Sequence, residues 1–181
     1  MSFVHRFDPS VLREYDIRGI IGETLGAADA FAVGRCFGSL IVRSGGERVA
    51  VGCDGRLSSP MLEPALVDGL KASGITVLRI GRGPTPMLYF TAATVAVDGA
   101  VMVTGSHNPP DHNGFKMVQR GKPFYGKAIQ ALGRMAEGGD VVAARPGAER
   151  HLAMAEAYVA RQLTDWYGVE SCLCVVCDNG N

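Results

Sequence analysis

Apolar runs with strand character alternate along the chain with segments of helical period. Positions 27–42 are rich in Ala, Phe, Leu and Ile and stop at Gly45-Gly46, which predicts a helix. A β-like run follows, Arg48-Val49-Ala50-Val51-Gly52-Cys53, and ends in Asp54-Gly55-Arg56. Ser58-Ser59-Pro60 reads as a cap with proline in the first turn, opening a helix through Leu62, Leu66 and Leu70 to Gly74. Positions 75–80 predict a strand with a glycine turn at 81–83, and Thr85-Pro86 starts a helix through Leu88, Phe90 and Ala93. Ala100-Val101-Met102-Val103 is a near-continuous apolar run, as expected of a strand buried on both faces. A polar loop leads to a further strand at 115–118, and 127–137 predict a helix stopped by Gly138-Gly139.

From 140 to 150 the chain reads as loop. Helical period returns over 151–166 through Leu152, Ala155, Tyr158, Val159 and Leu163, and Cys172 to Cys177 reads as a strand. Strands alternating with helices predict an α/β fold: a three-layer α/β/α domain around a mixed, mostly parallel sheet. The last predicted strand is followed by Asp178-Asn179-Gly180-Asn181 and no covering helix. The sequence is therefore expected to be cut short inside a second α/β domain.

Composition narrows the partners. Lys plus Arg and Asp plus Glu number 18 each, and aromatics are 7% of the 181 residues. Without a basic excess or an aromatic-interleaved basic stripe, nucleic acid is not an expected partner. No run approaches the roughly 18–20 apolar residues that span a bilayer, and the first residues lack the apolar core of a signal peptide. The expected compartment is the cytoplasm, with no membrane partner. Five cysteines, an odd number, point to reduced thiols. Cys172, Cys174 and Cys177 suggest a metal cluster at first sight. In a strand, however, Cys172 and Cys174 share one face and Cys177 takes the other, with no nearby fourth ligand.

In open α/β sheets the ligand crevice lies outside the carboxyl ends of the strands. Asp54, Arg56 and Ser58 follow the second run, Arg82 and Thr85 the third, and Thr104, Ser106, His107 and Asn108 the fourth. This makeup suits a phosphate-bearing ligand. Ser106 is the centre of it, exposed between Gly105 and the Pro109-Pro110 pair, with Asp111, His112, Asn113 and Lys116 close by in sequence. A nucleophile elbow needs a second glycine after the serine, which is missing. His107 is adjacent in sequence, so its ring is not expected to reach the Ser106 hydroxyl as the general base of a triad. No Walker-type phosphate loop occurs, and His107 with His112 is not a zinc pattern. By position alone, Arg18 could form a surface salt bridge with Glu14 or Asp16, Lys116 could be a solvated strand-edge lysine, and Asp54 could pair with Arg56 to brace the loop.

Arg13-Glu14-Tyr15-Asp16-Ile17-Arg18-Gly19, Gly52-Cys53-Asp54-Gly55-Arg56 and Thr104-Gly105-Ser106-His107-Asn108-Pro109-Pro110-Asp111-His112-Asn113-Gly114-Phe115-Lys116 together resemble the α-D-phosphohexomutase family. Within it they look most like the bacterial phosphomannomutase/phosphoglucomutase branch. The closing Val175-Val176-Cys177-Asp178-Asn179-Gly180-Asn181 resembles the first strand and turn of that family's second domain. The resemblance implies residues 1–147 as a first domain carrying a phosphoserine loop. Residues 148–181 would be the start of a second, with a third and fourth absent.

It further implies an enzyme interconverting hexose 1-phosphates and 6-phosphates, of mannose or glucose. Ser106 would be phosphorylated at rest and would pass its phosphoryl group to the sugar through a bisphosphorylated intermediate. Mg²⁺ would bridge the phosphoserine and an Asp-rich loop of the second domain, so that Ser106 is a metal ligand through its phosphate. By the same resemblance Ser106, Lys116, Arg18 and His107 are catalytic, and Tyr15, Arg18 and Lys116 contact substrate. Asp54, Arg56 and Asn108 support the loop. Phosphoglucosamine mutase and a stand-alone sugar-phosphate-binding module are the alternatives. The Asp-Gly-Asp-x-Asp-Arg metal loop of the family does not occur in the sequence. The chain by itself is therefore expected to be inactive, and its oligomeric state is not legible.

Overall fold

The computed structural model describes residues 3–165, with residues 168 and 176. The strand expected at Cys172 to Cys177, and with it the cysteine cluster, lies outside the described residues. The described elements are β1 (Ile17–Ile20), α1 (Ala27–Arg43), β2 (Arg48–Cys53), α2 (Ser59–Ala72), β3 (Thr76–Arg82), α3 (Thr85–Thr94), β4 (Gly99–Val103), β5 (His112–Gln119), β6 (Lys122–Phe124), α4 (Lys127–Gly138), β7 (Glu149–His151) and α5 (Ala155–Thr164).

Seven strands form one mixed sheet in the order β1-β5-β4-β2-β3-β7, with β6 added to β5. The strands β4, β2, β3 and β7 run parallel, whereas β5 is antiparallel to β4, β1 and β6. Alternation along the central strands builds the two cores. Val49, Val51, Val101, Val103 and Phe115 face α1, α2 and α4. Ala50, Ala100, Met102 and Val118 face Met87 and Leu88 of α3 on the other side. Strand β4 and positions 49–52 of β2 are thus apolar and buried throughout because both faces are covered.

Three short strands were not foreshadowed by pattern. In β1, Arg18 interrupts the apolar residues, yet the side chain is 1% exposed. In β6, Pro123 lacks an N–H and tolerates only an edge position. The loop expected over 140–150 ends instead in β7, whose Glu149, Arg150 and His151 pair with Val77, Leu78 and Arg79. The last helix consequently begins at Ala155 rather than 151. Strand β3 runs on through Gly81, where φ is +80° and a bulge shifts the register against Gly52.

Helix α2 is held against α1 by contact of backbone on backbone. A Cβ on Gly69 would lie 2.2 Å from the Phe31 carbonyl oxygen, and one on Gly34 would lie 2.3 Å from that of Leu66. This packing fixes the start of α2, and with it Ser58 and Ser59, at the carboxyl end of β2. Ser58 makes no side-chain capping bond. Its hydroxyl accepts from Asn113 Nδ2 at 2.8 Å instead, tying α2 to β5.

At the far edge, Arg79 donates to both oxygens of Glu63 and, at 2.7 Å, to Glu149. Lys71 Nζ reaches the other Glu149 oxygen at 3.1 Å. Hydrogen bonds from Arg79 first and then Lys71 hold the Glu149 carboxyl below its ordinary value. Its contribution to stability is therefore present above about pH 4.5, the unperturbed value, and is lost as pH falls through the lowered one. Urea denaturation of parent and Glu149→Gln should differ at pH 7, with the parent more stable, and converge as the solution is acidified below pH 4.5. A gap that persists or widens in acid would contradict this assignment.

Candidate functional site

Because β2 and β4 are parallel neighbours, the segments leaving their carboxyl ends lie side by side. Asp54 N–H donates to the Val103 carbonyl, and Thr104 N–H donates to that of Gly114, at 2.9 and 3.0 Å. Three segments therefore meet at one sheet edge: the Asp54-to-Ser59 turn, the serine loop, and the start of β5.

Ser106 has a φ of 51°, in the left-handed region that non-glycine residues seldom occupy. Such a backbone costs on the order of 1–3 kcal/mol and persists only where its surroundings enforce it. The enforcing contacts are on both sides of the loop. Ser106 N–H donates to Thr104 Oγ1 at 2.9 Å, and Thr104 is buried. The N–H and the Nδ2 of Asn108 both donate to the Gly105 carbonyl at 3.1 Å. Gly105 N–H is received by Asp54 Oδ2 at 2.8 Å, while Asp54 Oδ1 accepts from Arg56 N–H and from Ser59 Oγ.

Behind the loop lies the Arg56 guanidinium. Its Nη1 donates to the carbonyls of Pro109 and His112 at 2.5 and 2.9 Å, and its Nη2 to those of Asn108 and Ser106 at 2.5 and 3.1 Å. Arg56 Nε is 3.7 Å from Asp54 Oδ2, so the pairing expected from sequence is present. The fork can pass there only because Gly105 lacks a side chain, since a Cβ would lie 1.6 Å from Arg56 Nε. Asn113 closes the loop from the strand side, fully buried, its amide donating to Ser58 and Ser59 and its oxygen accepting from Gly114 N–H at 2.8 Å.

These bonds leave the Ser106 side chain exposed, on a loop whose backbone is committed elsewhere. One sequence expectation is corrected here. His107 Nδ1 lies 3.3 Å from Ser106 Oγ, within hydrogen-bond reach, because the left-handed turn at Ser106 swings two successive side chains together. His112 bonds Asp111 at 2.7 Å, and the hydrogen bond from His112 holds the Asp111 carboxyl below its usual value.

Arg18 is not the surface residue that position alone allowed. Its Nη1 donates to the Thr104 carbonyl, which ties β1 to the base of the serine loop, and its Nη2 donates to Asp16 Oδ2 at 2.7 Å. Buried Arg18 Nε has no hydrogen-bond partner among the described residues. Lys116, on β5 opposite Met102, is half-buried with Nζ 3.4 Å from the same Asp16 oxygen. Tyr15 is 76% exposed beside them. Arg82 and Thr85 lie on the same sheet edge but apart from the loop's bonding. Arg82 lines a 380 Å³ cavity with Cys53, Asp54, Arg56 and His151, which touches the brace but not Ser106.

The arrangement provides an exposed hydroxyl on a rigid loop, an adjacent imidazole and two cations held at its base. It can hold a group of high negative charge on that oxygen.

Known proteins resemble this chain in sequence and fold. The family model described as phosphoglucomutase/phosphomannomutase, alpha/beta/alpha domain I, matches residues 10–140. A phosphomannomutase/phosphoglucomutase of Pseudomonas aeruginosa is 42% identical over 172 residues, 95% of this chain and 37% of that protein. A phosphoglucomutase of Neisseria gonorrhoeae is 47% identical over 134 residues, 74% of this chain and 29% of its own length. The solved structure of a phosphoglucomutase/phosphomannomutase family protein from Burkholderia thailandensis superposes with a TM-score of 0.83 at 44% identity, over 88% of this chain and 36% of that one. The chain thus spans between 29% and 37% of the length of these relatives.

Arg56→Lys should break the fork, because an ammonium cannot serve four carbonyls in one plane. Denaturant unfolding should show a loss of about 1.5–3 kcal/mol. Hydrogen exchange of the amides at 104–114 should speed up while those of β3 keep parental protection. Parental protection throughout the loop would contradict the bracing role.

Proposed function

The chain belongs to the phosphoglucomutase/phosphomannomutase family, and on that premise we propose that it supplies the phosphoryl-carrying serine of a hexose-phosphate mutase. The carrying observation is the Ser106 loop: a left-handed, fully braced backbone that presents one hydroxyl beside His107, over the buried Arg18. The domain that carries this loop does not end at 147 as expected, because β7 pairs with β3 and Met154 packs into its core; in this reading the residues after these lead into a second domain. The sugar-selecting and metal-holding parts would then lie in the length of the relatives that this chain does not span.

In this reading the phosphorylated Ser106 donates its phosphoryl group to a hydroxyl of a hexose 1-phosphate or 6-phosphate of mannose or glucose. The bisphosphorylated sugar then returns its other phosphoryl group to Ser106. Little covalent work falls to the protein in such a transfer. Positioning and neutralisation of the phosphoryl oxygens dominate. Arg18 and Lys116 supply cationic donors at the loop's base. His107 Nδ1 is within reach of Oγ to hold a proton as the P–O bond breaks. Tyr15, exposed beside them, contacts the sugar. Asp54, Arg56 and Asn108 keep the loop from following the departing phosphoryl group.

Mg²⁺ fits the donor chemistry, since a phosphate oxygen on Ser106 is a hard ligand of the kind it prefers. The Asp54 carboxylate is already occupied by Gly105, Arg56 and Ser59. The remaining ligands would therefore have to come from outside this loop. Bound there, the ion would offset phosphoryl charge. Phosphorylated hexoses do not cross bilayers unaided, which suits a cytoplasmic enzyme.

The full-length protein should carry one phosphoryl group by intact mass, absent in Ser106→Ala. That variant should lose about a thousandfold or more in turnover of glucose 1-phosphate in a coupled assay. Parental turnover by Ser106→Ala would rule out the covalent route.

A further inference from the structure

One carboxylate oxygen serves both cations of the site. Asp16 Oδ2 accepts from Arg18 Nη2 at 2.7 Å and lies 3.4 Å from Lys116 Nζ. The antiparallel register that opposes Ile17 to Phe115 carries Asp16, one residue before β1, opposite Lys116 on β5. Arg18 is 1% exposed, and a guanidinium so buried needs a counter-charge and full hydrogen bonding. It has the Thr104 carbonyl and Asp16, and Nε has no partner among the described residues. Lys116 carries three rotatable donors on a flexible stem, so its position depends on what holds it.

We propose that Asp16 is a positioning residue for phosphoryl transfer, aligning Arg18 and Lys116 toward the oxygens of a phosphate on Ser106. The proposal rests on the reading of Ser106 as the phosphoryl carrier. One carboxylate between two cations leaves one positive charge in excess, so the group attracts a phosphate dianion while remaining ordered in its absence. Arg18 is fixed from both ends, by Asp16 and by the loop's own Thr104 carbonyl, and a change in loop position is transmitted to the cation. Lys116 keeps an exposed approach, and its 3.4 Å contact is long enough to be exchanged for a phosphate oxygen. Asp16 acts through these two side chains and does not itself touch the reacting atoms.

The test uses the full-length protein, with Asp16→Asn, Asp16→Glu and Ser106→Ala assayed side by side on glucose 1-phosphate. Asparagine keeps an acceptor for Arg18 but removes the charge that holds Lys116. It should lower kcat about a hundredfold, as expected of misplaced catalytic groups. KM should stay within about threefold, because Asp16 itself touches no substrate and both cations keep their charge and their places on β1 and β5. Asp16→Glu, with the charge on a longer arm, should recover part of the loss. Parental kcat in Asp16→Asn, or a loss expressed as a matching rise in KM, would overturn the proposal. Should Asp16→Asn not fold, Asp16→Glu decides: a folded protein with reduced kcat upholds the role. Parental kcat, or failure of both variants to fold, assigns Asp16 to structure alone and overturns it. An inactive Ser106→Ala beside a fully active Asp16→Asn defeats this inference only, whereas an active Ser106→Ala defeats the reading beneath it.

Discussion

Four backbone carbonyls of the serine loop, those of Ser106, Asn108, Pro109 and His112, converge on the guanidinium of Arg56, which reaches them through the space left by Gly105. The carbonyls of Asn108 and His112 are half-buried and would be costly without a donor, while those of Ser106 and Pro109 lie nearer the surface. Arg56 supplies all four from one planar group, and Asp54 receives the Gly105 N–H on the same side. Only with that backbone fixed can Ser106 hold its left-handed conformation and present its hydroxyl. The bonds inside the loop, from Thr104 and Asn108, then have a fixed frame to act on.

The sheet explains why bracing and charge come from different directions. Its parallel half brings the carboxyl ends of β2 and β4 together, which puts Asp54 and Arg56 against the serine loop. Its antiparallel half returns the chain as β5 and flanks it with β1, which puts Lys116, Arg18 and Asp16 at the base of the same loop. A uniformly parallel sheet would need a crossover between β4 and β5. The direct return keeps His112, Asn113 and Lys116 within one loop's reach of Ser106. Backbone contact at Gly34 and Gly69 is the remote condition, because it seats the start of α2 where Ser58 and Ser59 meet Asn113.

Much of this was legible in sequence, and the parts that were not share a cause. The buried strands at 48–53 and 99–103 announce themselves by unbroken apolar runs, and α1, α2 and α4 by period and glycine stops. By contrast, β1 contains a buried arginine, β6 a proline, and β7 reads Glu-Arg-His. Each exists through pairing with a neighbour rather than through its own pattern. Of the polar residues that follow the strands, Asp54, Arg56, Ser58 and those of 104–108 come together around the loop, whereas Arg82 and Thr85 take no part in its bonding. What sequence could not show was the use of main-chain carbonyls, which carry no side-chain signature, and so Arg56 read as bracing the loop through Asp54 rather than by holding four carbonyls itself. Nor could it show the reach of His107 to Ser106, which depends on one left-handed φ. Asp16 read as a surface option for Arg18, because its place between two cations needs the register of β1 on β5.

The central claim is that the braced loop makes Ser106 the residue that carries a phosphoryl group. Peptide mapping by tandem mass spectrometry of the full-length protein, after reaction with a hexose bisphosphate, tests it most directly. The account predicts a single phosphorylated site, at Ser106, that discharges when hexose monophosphate is added. Phosphate on another residue, or a Ser106 phosphate that added sugar does not remove, would contradict it.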